Sequence, residues 1–118
     1  MLEGKRQKQV AGLLNKELNE IFLRMGLNMM NGGMISISSV KITPDLLEAR
    51  INLSFYKVAN ATEAFKKIQE RSSEIRRELG NQVRHQLRLV PHLRFFIDDS
   101  LDHADKMEEL LKKLKDNP

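Results

Sequence analysis

Residues 61–91 read Ala61-Thr-Glu-Ala-Phe-Lys-Lys-Ile-Gln-Glu-Arg-Ser-Ser-Glu-Ile-Arg-Arg-Glu-Leu-Gly-Asn-Gln-Val-Arg-His-Gln-Leu-Arg-Leu-Val-Pro91. Thr62, Phe65 and Ile68 mark one stretch at helical spacing. Ile75, Leu79, Val83 and Leu87 mark a second, at strict i+4 steps. Between them stand Ser72 and Ser73, whose hydroxyls compete for backbone hydrogen bonds and favour breaks or caps. The stretch therefore predicts two helices meeting at a kink. Val90-Pro91 ends the second, because proline disfavours helix for the residue before it.

Upstream, Ile35 and Ile37 alternate with Ser36 and Ser38, and Val40 and Ile42 resume out of phase, which predicts a strand bulged near Ser39. Thr43-Pro44-Asp45 reads as a turn. Ala49 to Tyr56 places Ile51, Leu53 and Phe55 on one face and Arg50, Asn52, Ser54 and Tyr56 on the other, an antiparallel strand with one covered face. Before the strands, Val10, Leu13, Leu14, Leu18, Ile21, Phe22 and Met25 form one helical stripe, broken at Asn28–Gly33, where Asn31-Gly32-Gly33 accepts positive φ. After Pro91, Leu93, Phe95 and Ile97 alternate as a third strand. Ser100 then opens a last helix with Leu101, Ala104, Met107, Leu110, Leu111 and Leu114 on its apolar face. The expected order is α-β-β-α-kink-α-β-α. This is an α+β fold with helices on one face of a three-stranded sheet, as a single domain over residues 1–118 with a core of about 5–114.

The chain has 118 residues, no cysteine and a net charge of +4. Disulfides and thiolate metal sites are excluded. Residues 1–10 lack the apolar core of a secretory leader, and no apolar run reaches the ~20 residues of a membrane span. A cytoplasmic protein with no membrane partner is expected. The charge is unevenly spread. Residues 1–16 hold four basic side chains against one acidic, residues 61–96 eight against four, and residues 97–118 four against seven. A basic amino end and middle suit a polyanion, and ordinary surface charge is the bland alternative.

On the helix after the kink, Arg77, Asn81, Arg84 and Arg88 lie opposite the apolar stripe. Arginine's planar, permanently charged fork suits phosphate. The kink also opens the amino end of this helix, where free N–H groups attract anions; Ser72 and Ser73 sit there, flanked by Arg71, Arg76 and Arg77. With Lys5, Arg6 and Lys8 of the basic amino end, these residues form the candidate phosphate-binding set. Tyr56 and Phe96 are either stacking platforms or core residues.

Catalysis finds no support. His85, His92 and His103 have no metal-ligand spacing, the adjacent Asp98 and Asp99 point apart in an extended segment, and no phosphate loop or dinucleotide glycine pattern is present. No metal, cofactor or small-molecule substrate is expected.

The α-β-β-α-α-β order resembles a KH domain of the bacterial, type II topology, an RNA-binding module that normally carries Gly-x-x-Gly between its middle helices. No two glycines here fall three apart. Three segments, Ile68 to Gly80, Arg88 to Leu101 and Asp45 to Ser54, resemble the ribosome-binding factor A family. So do the combined Val90-Pro91-x-Leu93 and Phe95-x-x-Asp98-x-Ser100 patterns. The resemblance spans roughly Lys5 to Leu114. It implies a non-catalytic, KH-like assembly factor that binds the immature small (30S) subunit through its 16S rRNA, assists late rRNA processing, and is linked to growth in the cold. It also implies that the helix-kink-helix replaces the Gly-x-x-Gly grip. Where that family has Ala-x-Gly at the kink, this chain has Arg71-Ser72-Ser73. A monomer is expected. The alternative is an RNA-binding or protein-interaction module not tied to the ribosome.

Overall fold

The computed structural model describes residues 4–98. Helix α1 runs Lys5–Arg24, strand β1 Met29–Met30, β2 Gly33–Ile42 and β3 Glu48–Tyr56. Helices α2 (Ala61–Glu70) and α3 (Ser72–Val83) then precede β4 (His92–Ile97). The last helix read from the sequence lies outside the described residues.

The sheet has four strands rather than three, in the order β1-β2-β3-β4. The extra strand arises because Asn31 (φ 51°) and Gly32 (φ 79°) both take positive φ. This is the two-residue hairpin turn whose twist matches paired strands. It pairs Met29 with Met34 and Met30 with Gly33. Gly33 is required for a separate reason: a Cβ there would collide with the carbonyl of Tyr56 on the next strand.

β2 and β3 are antiparallel, and their register shifts between Ile37 and Ser39, where the phase slip placed the bulge. The bulge returns Val40 and Ile42 to the face already used by Ile35 and Ile37, so all four are buried. Thr43 O accepts from Leu46 N–H at 2.8 Å and Asp45 Oδ1 accepts from Leu47 N–H at 3.0 Å, closing the turn to β3. β4 lies parallel to β3, Ile51 beside Phe95.

The buried side chains of the strands meet those of the helices in one cluster: Leu14, Leu18 and Phe22 from α1, Ala64 and Ile68 from α2, Ile75, Leu79 and Val83 from α3. Phe22 meets Phe95 at 6.4 Å between centroids, and Phe55 meets Phe65 edge-on at the same distance. The break between α2 and α3 is one residue wide. Arg71 (φ −98°, ψ 13°) leaves the helical region and ends α2, and its carbonyl accepts the first bond of α3 from Ile75 N–H at 2.9 Å. Ser72 and Ser73 are thus the first residues of α3 rather than its caps, and no side chain caps this end.

Candidate nucleic-acid interface

Three sets of tertiary hydrogen bonds build the positive surface. Gln7 Nε2 donates to Ile42 O at 2.7 Å and fixes the start of α1 against the end of β2. His92 N–H donates to Leu47 O at 2.8 Å and draws the start of β4 onto the β2–β3 turn. Arg76 donates to Val90 O at 2.7 Å and to Pro91 O at 3.2 Å, folding the α3–β4 connection back along α3. The sequence placed α3's arginine stripe on a helix reaching Leu87, but α3 ends at Val83. Leu87 N–H still bonds Val83 O at 2.8 Å, which keeps Leu87 buried. Arg84 is the C-cap, and Arg88 lies in the connection beyond it.

This folding back brings Arg88 beside α3. Ser73, Arg76, Arg77, Arg88, Leu89 and Val90 line a groove of about 320 Å³. Arg88 and Leu89 also wall a second cleft, of about 230 Å³, with Arg6, Asp45, Leu47 and Pro91. Arg6, Arg77 and Arg88 are exposed, so the two hollows form one band of guanidinium groups open to solvent from α3 to α1. Asp45 is the acid within it. Hydrogen bonds from the Thr43 hydroxyl (2.6 Å) and the Leu47 amide hold its carboxyl below the ordinary value, so it stays charged.

Two predicted cations are engaged by intramolecular partners. Arg71 forms a two-pronged pair with Glu74, at 3.1 and 3.0 Å, and reaches Met25 O at 3.4 Å. The paired hydrogen bonds raise Arg71 and lower Glu74, so both remain ionised. Glu74 therefore already places an anion in the first turn of α3. Arg76 is half-buried under the connection that it holds. Lys5, Lys8, Asn81 and Arg84 are exposed, and they line neither hollow.

Ser72 and Ser73 part company at the kink. Ser73 faces the arginine groove, whereas Ser72 lines a groove of about 390 Å³ along β4, the edge strand among the described residues, with Gln69, Leu93, Arg94, Phe95 and Phe96. Gln69 and Arg94 are not among the expected residues; the alternation of Leu93, Phe95 and Ile97, which turns Arg94 outward, is a signal for Arg94 alone. Tyr56 and Phe96 are both exposed rather than in the core. Among the described residues no group of His, Asp or Glu is arranged to hold a metal ion, and no helix is long and apolar enough to cross a membrane.

The family model described as Ribosome-binding factor A matches residues 6–111. The chain belongs to the ribosome-binding factor A family. It is 38% identical over 117 residues to the ribosome-binding factor A of Christiangramia forsetii, covering 98% of this chain and 89% of that one. To the Flavobacterium psychrophilum member it is 38% identical over 118 residues, with 99% and 90% covered. The Chlorobaculum tepidum member is 32% identical over 111 residues, with 93% and 91% covered. The fold is shared with the crystal structure of ribosome-binding factor A from Thermus thermophilus, at a TM-score of 0.63 and 14% identity, over 77% of this chain and 94% of that one. A homology model of the Thermus thermophilus factor, fitted into a cryo-electron microscopy map of a 30S complex with it, aligns at a TM-score of 0.61 and 14% identity, over 75% and 91%. In this chain the residue at the kink, Arg71, pairs with Glu74 in the first turn of α3.

Proposed function

We propose that this chain is a cytoplasmic, non-catalytic assembly factor, a single KH-like domain that binds the 16S rRNA of the immature small ribosomal subunit and assists its late maturation. The observation that carries the reading is the convergence of Arg6, Arg77 and Arg88 along two adjoining hollows, in a chain that belongs to the ribosome-binding factor A family. Exposed guanidinium groups with no base-specific reader among them suit phosphate contacts, which position a protein on RNA without selecting sequence. The relative fitted into a 30S complex supports the choice of partner.

Sedimentation of lysate through a sucrose gradient at moderate salt tests this. The reading expects the protein with free small subunits, absent from translating ribosomes and shed at high salt. Confinement to the top of the gradient at every salt concentration would contradict it. Leu47 and Leu89, 51% and 70% exposed beside the Arg6 cleft, favour a second reading in which a protein partner seats there. A partner retained after ribonuclease treatment would select that reading.

A further inference from the structure

The face of the sheet turned away from α1, α2 and α3 carries chemistry that the arginine hollows do not use. Lys41 pairs with Arg50, and Arg50 with Arg94, so three cations stand side by side across β2, β3 and β4, about 4.8 Å apart from strand to strand. Glu48 is the acid among them, 3.0 Å from Arg50 and 3.5 Å from Arg94. Two residues further along β3, Asn52 pairs with Phe96 and donates to Ser39 Oγ at 2.8 Å. At the end of β3 stands Tyr56. From strand geometry the two rings are roughly 14 Å apart, too far to clasp neighbouring stacked bases but suited to two separated ones. Tyr56 is 36% and Phe96 37% exposed. Each ring has a cation beside it, Lys57 at 5.3 Å from the Tyr56 centroid and Arg94 at 5.7 Å from that of Phe96.

Exposed rings, neighbouring cations and the Asn52–Ser39 amide–hydroxyl pair on one sheet face match a particular ligand. An acidic protein would use the cations and leave the rings idle. A duplex keeps its bases stacked inside, beyond the reach of rings on a sheet face. An unpaired strand uses both, with bases on the rings and phosphates on the cations. The β4-edge groove, which holds Ser72 and Gln69 on the helix side and Arg94 and Phe96 on the sheet side, gives such a strand a route around the edge. We infer that the outer sheet face is a second RNA contact, a platform for unpaired bases next to the segment gripped by the arginine band. This rests on the RNA-binding reading above.

The chain has one tyrosine and no tryptophan, so its near-ultraviolet emission reports on Tyr56 alone. The full chain is titrated with a single-stranded decauridylate, with free tyrosine as the absorbance control, and binding is followed in parallel by anisotropy of a labelled decamer. Quenching of Tyr56 emission is expected on binding. Phe96→Leu, which keeps apolar bulk and removes the ring, should weaken decamer binding about tenfold, the scale of one stacked base, and leave binding of a twelve-pair RNA duplex unchanged. Unmoved emission at saturation, with Phe96→Leu binding the decamer within twofold of wild type, would overturn the inference. If in that case an Arg77→Glu/Arg88→Glu variant still loses the decamer, the RNA-binding reading survives; if wild type binds neither RNA, both fail. A dimer in sedimentation velocity that Phe96→Leu dissociates would also overturn it, because a second copy would then cover the face.

Discussion

Arg76 Nη2 donates to the carbonyl of Val90 at 2.7 Å, across fourteen residues of chain. This bond, with its companion to Pro91, ties the connection carrying Arg88 to the helix carrying Arg77. A hydrogen bond from a charged group contributes about 1.5–3 kcal/mol. Arg76→Ala should therefore lower unfolding free energy by about 2 kcal/mol in urea denaturation. Arg77→Ala, one residue along and without such a tether, should change it by less than about 0.5 kcal/mol. Arg76→Lys should recover only part of the loss, because an ammonium lacks the fork that spans both carbonyls.

Gly33→Ala should be among the most destabilising single changes on the sheet. The new Cβ would run into backbone, the Tyr56 carbonyl and Lys57, which has no side-chain freedom to yield. A loss above about 2 kcal/mol by thermal unfolding is expected. Gly32→Ala meets open space, and its cost is confined to φ 79°, about 1 kcal/mol.

Ser54 is buried on the outer face and its hydroxyl has no hydrogen-bond partner among the described residues. An unmade bond costs desolvation without return. Ser54→Ala should be neutral or stabilise by up to about 1 kcal/mol, read from the denaturation midpoint at constant m.

Glu48 is held below its ordinary value of 4.5 first by the hydrogen bond from Arg50 and then by Arg94. Glu74 is lowered in the same way by Arg71, and Asp45 lies below 3.8 through Thr43 and Leu47. A carboxyl whose folded pKa is depressed binds fewer protons folded than unfolded. Its stabilisation is full above the unfolded value and is lost as pH falls through the folded one. Melting temperature should therefore be insensitive to these groups between about pH 7 and 5.5 and fall below about pH 4. Glu48→Gln should flatten part of that fall; an unchanged acid limb would show that the Arg50–Glu48–Arg94 cluster contributes nothing.

Much of the fold can be read directly from residue order. The phase slip between Ile37 and Val40 is the bulge, and the i+4 row of Ile75, Leu79 and Val83 is the buried face of α3. β1 escaped because two residues have no alternation, although Asn31-Gly32 between methionines carried a hairpin signal. The overlong second helix has a similar origin: Leu87 keeps its i+4 spacing in a turn that no longer propagates. The site is harder to read. The arginines around α3 look equivalent in sequence, yet Arg71 and Arg76 hold the protein together while Arg77 and Arg88 face solvent. That division is set by which carbonyls and carboxylates fold within reach: the i,i+3 spacing of Arg71 and Glu74 is a local signal, whereas the carbonyls that hold Arg76 lie fourteen and fifteen residues away.

The most direct test of the arginine band is the salt dependence of binding to purified small subunits, compared between wild type and Arg77→Glu/Arg88→Glu. Each phosphate contact contributes a slope of about −0.7 to −0.9 in log affinity against log salt. The double variant should bind more weakly at low salt, with a slope shallower by about 1.5. An unchanged affinity and slope would show that the subunit is held elsewhere on the protein.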